Sequence, residues 1–332
     1  MKSLLLSLAL AAGVSCATFA QEKPTLTVYT YDAFAADWGP APKVEEAFEK
    51  VCECDLKFVA ADSSIGALRK VQLEGPDTEA DVVLGLDTNI MEAARQTGLF
   101  APHGADTSRL SLPVEWSDDT FLPFDYSWFA FVHDTDKVPT APASLEALAA
   151  MPDDFKIVIQ DPRSSTPGLG LVLWVKEVYG DRAADWWARV KPKVVTVTKG
   201  WSDAYGLFLK GEADMVLSYT TSPAYHAIAE EKTNFAAATF EEGHYTQVEV
   251  AAIVASTDEM DLARRFMAFT QTDAFQDIIP TTNWVYPAVE TKAGLPDGFK
   301  ELPKPQKTML VDPTKVEPIR KAAIEEWLSV ME

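Results

Sequence analysis

The run ADVVLGLD, Ala80 to Asp87, is apolar from its third residue to its seventh, broken only by one glycine. A strand with one wet face alternates polar and apolar residues. This one does not, so it is predicted to be buried on both faces, as strands are when helices cover a parallel sheet. Before it, SSIGALRKVQLEG (63–75) reads as a helix whose leading serine caps it, and after it NIMEAARQTGLF (89–100) reads as another. Further back, CDLKFVAAD (54–62) is a strand, and PKVEEAFEKV (42–51) spaces Val44, Ala47, Phe48 and Val51 as one face of an amphipathic helix. TLTVYTYDAF (25–34), β-branched and aromatic, is a first strand. This β-α-β-α-β-α order with short joints predicts a mostly parallel sheet flanked by helices.

The alternation returns in FKIVIQDP, GLGLVLWVKEVYG, DRAADWWARV, KVVTVTKG, SDAYGLFLKGE and ADMVLSYTT, covering residues 155–221. Between the two units lies TFLPFDYSWFAFVHD (120–134), too aromatic and apolar for a free linker, and EEGHYTQVEVAAIV (241–254) is a second long β-rich run. Both are predicted to be crossover strands between two α/β lobes, with hinges near 121–132 and 243–254. The expected division is lobe 1 at 21–123 plus about 245–285, and lobe 2 at 124–244 plus about 286–332. The two tryptophans of DWWARV are expected in the core. A ligand cleft then lies between the lobes, beyond the carboxyl ends of the strands.

The chain opens with MKSLLLSLALAAGVSCATFAQ, one lysine, a short apolar run and small residues, which reads as an export signal (1–20) cleaved near Ala20. Gly13 disfavours Cys16 as a lipid-attachment site. Removing Lys2 with the signal takes the net charge from −21 to −22, a balance that repels nucleic acid and anionic membrane. The expectation is a soluble periplasmic monomer with no membrane insertion. Export permits a disulfide between Cys52 and Cys54; the one-residue gap makes the ring tight, and two free thiols are the alternative.

Two kinds of chemistry recur at the predicted strand ends. Tyr31, Trp38, Trp201, Tyr219, Tyr225 and Trp284 are aromatic. Ser63 with Ser64, Ser165 with Thr166, and Thr221 with Ser222 are hydroxyl pairs where helices begin. VLSYTTSPAY (216–225) concentrates both, with five consecutive hydroxyl residues from Ser218 through Tyr219, Thr220 and Thr221 to Ser222 before Pro223 ends the strand. Helix starts bind phosphate or carboxylate through free backbone N–H groups, and aromatic faces favour cationic rings. A ligand with a cationic ring and an anionic or hydroxylated tail would use both.

Catalytic and metal signals are weak. His103, His133, His226 and His244 are scattered without ligand spacing, so no metal ligands are assigned. There is no G-x-S-x-G elbow, and PGLGLVL lacks a phosphate-binding lysine. A Ser218–His226 pair is the one candidate for a secreted serine hydrolase, kept as an alternative.

LTVYTYDAFAADWGPAP, ADVVLGLD, QDPRSSTPGLGL, VTVTKGWSDAYGLFLKGEAD, VLSYTTSPAYH and IPTTNWVYP together resemble the periplasmic thiamine-binding proteins of bacterial ABC importers, over about residues 24 to 331. That resemblance implies a type II, two-lobed solute-binding fold, an α/β protein that is not an enzyme. It needs no cofactor; its ligand is thiamine, with thiamine monophosphate and diphosphate as further expectations, and its partner is a membrane permease. It further implies that Trp201 and Tyr219 to Ser222 surround the ligand, with Tyr31, Trp38, Tyr225 and Trp284 beside them and Ser165 and Thr166 as polar contacts. Ser63-Ser64 departs from the family's Asp-Gly at that point. Within the class, another cationic solute or a ferric ion remains the alternative.

Overall fold

The computed structural model describes residues 23–332; the expected export signal lies outside them. Among the described residues twelve strands form one sheet. They are β1 (Thr25–Tyr31), β2 (Asp55–Ala61), β3 (Val82–Asp87), β4 (Phe100–Ala101), β5 (Leu122–Asp134), β6 (Ile157–Gln160), β7 (Val194–Thr198), β8 (Met215–Tyr219), β9 (Phe235–Ala237), β10 (His244–Val254), β11 (Tyr286–Pro287) and β12 (Thr308–Met309). The main order is β2-β1-β3-β10-β5-β8-β6-β7, with the four short strands attached to β5 and β10.

Each end of the path is parallel: β1 with β2 and β3, and β6 with β7 and β8. The two long strands join these ends in antiparallel sense. β5 changes partner midway. Leu122 to Trp128 pair with β10, then Phe129 to His133 pair with β8. The predicted crossovers are thus shared between both halves, and every residue of β3 and β10 is buried, as their apolar runs require.

Helix packing follows the apolar periodicity with one correction. The helix Ala41–Cys52 buries Ala41, Val44, Phe48 and Cys52, while Val51 is 60% exposed. The buried stripe is turned by one residue because Cys52 forms a disulfide with Cys54, itself fully buried, and both sulfurs face the core. Trp186 and Trp187 are buried as expected. The C-terminal helix Val316–Met331 packs on Thr166–Tyr179 and Ala183–Val190, where Lys176 donates to Glu326 at 2.7 Å.

The two glycines of PGLGLVL serve packing. A Cβ on Gly170 would stand 1.9 Å from the Phe129 ring, and one on Gly168 would stand 2.3 Å from the Gln160 carbonyl. These close approaches seat the helix Thr166–Tyr179 against β5 and β6 with its first turn at the strand ends.

Candidate ligand-binding site

A cavity of about 530 Å³ opens at the carboxyl ends of the parallel strands, between the two ends of the sheet path. It receives Tyr31 from the end of β1, Ser63 and Ser64 from the turn after β2, Ser165 and Thr166 after β6, Trp201 after β7, and Tyr219 and Ser222 at and after β8. Trp38, Tyr225 and Trp284 complete the sequence-predicted lining. Trp284 reaches it through a left-handed backbone (φ 60°) at the end of the short helix Ile279–Thr282. That conformation is uncommon outside glycine, and here it sets the indole edge-on to Tyr225, ring centroids 5.2 Å apart.

The hydroxyl run divides. Tyr219 and Ser222 line the cavity, but Thr220 and Thr221 do not. Both are buried, Thr221 sharing a 3.1 Å hydrogen bond with Ser127 on β5 while the Thr220 hydroxyl has no partner. The chain turns from β8 into the helix Ser222–Ala229, so these two side chains pack inward and shape the turn instead of contacting the cavity. Ser218 is buried below and accepts from the Trp201 indole N–H at 2.8 Å while sharing a 2.7 Å hydrogen bond with Ser222. Trp201 is thereby fixed, and it stacks on Tyr205 at 4.9 Å.

Ser218 and His226 do not form a nucleophile–base pair. His226 meets Tyr205 at 2.9 Å through Nε2 and Glu230 at 2.7 Å through Nδ1, so both ring nitrogens are committed elsewhere. Among the described residues no three His, Cys, Asp or Glu side chains come together as a metal site.

Four helix starts of eight residues or more meet the cavity: Ser64–Glu74, Thr166–Tyr179, Trp201–Leu209 and Ser222–Ala229. Ser63 caps the first, accepting from the Gly66 N–H at 3.0 Å. Ser165 stands at the N-cap of the second without using its side chain there.

Two acids on the crossover strands were not anticipated. Asp125 of β5 and Glu249 of β10 are register partners and lie on the cavity floor. The Tyr31 hydroxyl donates to Glu249 at 2.8 Å, and the Asn283 amide donates to Asp125 at 2.7 Å. Gln247 donates to Glu249 at 3.4 Å and to the Thr166 hydroxyl at 3.3 Å. Burial pushes the Asp125 carboxyl up to about 7, and burial with the neighbouring Asp125 charge raises Glu249 well above the usual range. A lone acid inside an apolar run such as TQVEVAA is the signal that could have found Glu249, because a buried carboxylate requires partners or a role.

At the mouth, the contacts cross between the halves. Lys199 pairs with Asp62, Ser202 donates to Asp32 at 3.4 Å, and Arg69 donates to the Arg163 carbonyl at 3.2 Å. Trp38 stands at this rim, 56% exposed.

A cleft at strand ends, closed below by two shared strands and lined by aromatic and acidic groups, is the form of a two-lobed receptor for a small molecule. The sequence profile of bacterial extracellular solute-binding proteins matches residues 28–277, and the chain belongs to that family: it binds a solute and is not an enzyme. It is 53% identical over 312 residues to the thiamine-binding periplasmic protein of Salmonella typhimurium (strain LT2), spanning 94% of this chain and 95% of that one. A solved periplasmic thiamin binding protein superimposes with a TM-score of 0.91 at 52% identity, over 93% of this chain and 97% of the other. The fructose-6-phosphate-bound AfuA of Actinobacillus pleuropneumoniae, at 17% identity and TM-score 0.79 over 93% and 99% of the two chains, shares the type II fold. Among the described residues no helix is long and apolar enough to cross a membrane.

Proposed function

We propose that this protein captures thiamine in the periplasm and delivers it to the permease of an ABC importer. The observation that carries this reading is the composition of the cavity wall. Among the described residues, seven aromatic side chains (Tyr31, Trp38, Trp201, Tyr205, Tyr219, Tyr225, Trp284) and four carboxyl groups (Asp32, Asp62, Asp125, Glu249) line it, and no Lys, Arg or His does. Such a wall selects a flat cation, each aromatic face contributing about 0.5–2 kcal/mol. Thiamine's thiazolium ring is permanently cationic, and its aminopyrimidine offers donors and acceptors to the floor. The close likeness to proteins named for thiamine binding supports the same solute.

Thiamine monophosphate and diphosphate are proposed as further ligands, their phosphates taken by the helix starts at Ser63, Ser64, Ser165 and Thr166. The site residues are then Tyr31, Trp38, Ser63, Ser64, Ser165, Thr166, Trp201, Tyr219, Ser222, Tyr225 and Trp284, joined by Asp125 and Glu249. Cleavage near Ala20 releases a monomer whose lobes, 21–123 with 245–285 and 124–244 with 286–332, close over the ligand about β5 and β10.

Intrinsic fluorescence of the mature protein, titrated separately with the three forms, tests this directly, since three of the nine tryptophans line the cavity. Saturable quenching by thiamine at submicromolar concentration is expected. Absence of a response to all three would overturn the assignment.

A further inference from the structure

Two carboxyl groups at the closed end of a cavity pose a problem of charge. Asp125 and Glu249 sit opposite one another on paired strands, 1% and 7% exposed, and one amide bridges them, Asn283 donating to Asp125 at 2.7 Å and to Glu249 at 3.4 Å. One Asp125 oxygen accepts from Asn283, but the other, Oδ1, is buried with no donor. The Glu249 oxygens already face Tyr31, Asn283 and Gln247. A proton on either acid would add a donor to a set that otherwise has acceptors in excess.

The surrounding elements supply no compensating cation. Tyr31 reaches the pair from β1, Tyr219 from β8, Gln247 from β10 and Asn283 from the segment before Trp284, while Asp87 at the end of β3 is a further acid, its own carboxyl pushed up to about 7 by burial. None of these is basic, and two like charges this deep cannot both ionise in the empty cavity without a large cost.

We propose that Asp125 and Glu249 share one proton in the empty cavity and release it to solvent when the cationic ring enters, so that solute capture is coupled to proton release. The inference rests on the thiamine reading above. One positive charge leaves the floor as another arrives, so the buried charge is unchanged and no bond other than O–H is broken. Binding then favours the deprotonated pair: affinity rises with pH through the region where the pair titrates in the empty protein, and falls below it. Complete coupling corresponds to about tenfold in affinity per pH unit.

Calorimetric titration of the mature protein with unphosphorylated thiamine, near neutral pH, in two buffers of different ionisation enthalpy reads the proton count. Unphosphorylated thiamine is used because a phosphate would titrate in the same range. The expected result is an apparent enthalpy that differs between buffers by the difference in their ionisation enthalpies multiplied by up to one released proton, together with affinity that rises several-fold from about pH 6 to pH 8. Glu249→Gln, which takes a carboxyl from the site, should bind thiamine more weakly but with the same enthalpy in both buffers and a flat pH profile, and Asp125→Asn provides the same readout should the first variant fold poorly. Thiamine binding with equal enthalpy in both buffers and flat affinity across that range would refute the shared proton while leaving the thiamine assignment intact. No heat of binding, together with no fluorescence response, would remove both.

Discussion

The floor and the mouth of the cavity are built from different chemistry and by different parts of the chain. At the floor, Asp125, Glu249, Tyr31 and Asn283 form a hydrogen-bonded set on or beside the two shared strands. At the mouth, Trp38 is more than half exposed, and Asp62, Lys199, Asp32 and Ser202 make polar contacts between turns of opposite halves. A buried network holds one arrangement because each unpaired member is costly. A rim of exposed pairs is screened and cheap to break, as opening requires. The contrast assigns recognition of the solute to the interior and reversibility to the edge.

That division is broken most directly at the aromatic wall. Trp201→Ala removes a ring held by Ser218 and stacked on Tyr205, and thiamine affinity should fall by about 1–3 kcal/mol. Tyr219→Ala should act in the same direction. Affinity within twofold of the parent for both variants, measured by calorimetry, would move the solute away from this wall.

Next in size is the helix start after β2. Ser63→Ala removes a cap on Gly66 and should lower stability by about 1 kcal/mol. With Ser64→Ala added, the monophosphate should lose more affinity than thiamine, since a lost hydrogen bond to a charged group is worth about 1.5–3 kcal/mol. Equal losses for the two ligands would place the phosphate elsewhere.

These regions also differ in how far they could be read from the residues alone. The mouth and walls lie at strand ends, where apolar periodicity stops and turn residues begin. Tyr31, the Ser63-Ser64 and Ser165-Thr166 pairs and Trp201 are therefore legible in the sequence as positions. Of the floor, Tyr31 is legible but the two acids are not, because Asp125 and Glu249 sit mid-strand, and which face a mid-strand residue presents depends on register with strands far away in sequence. The alternation of FLPFDYSW marks a strand but does not say which side meets a cavity. Val51 failed for a related reason: periodicity located the helix, but the pairing of Cys52 with Cys54 decided its rotation.

A smaller effect is expected at the rim. Lys199 and Asp62 are both largely exposed, so Lys199→Ala should change thiamine affinity by about twofold at most in low salt and by less as salt rises. A tenfold loss that persisted in high salt would make the rim part of the recognition surface and erase the contrast with the floor.

The smallest expected effect on binding is at Thr220, beside Tyr219 in the same hydroxyl run yet turned away from the cavity. Its hydroxyl is buried without a partner, and such a group costs about 1–3 kcal/mol where it stands. Thr220→Val keeps the shape and removes the hydroxyl. Thermal unfolding should show equal or higher stability, and thiamine affinity should match that of the parent protein. If the variant instead binds thiamine tenfold more weakly with stability unchanged, the Thr220 hydroxyl must turn toward the solute on binding. The turn after β8 would then belong to the moving edge of the cavity rather than to its fixed interior.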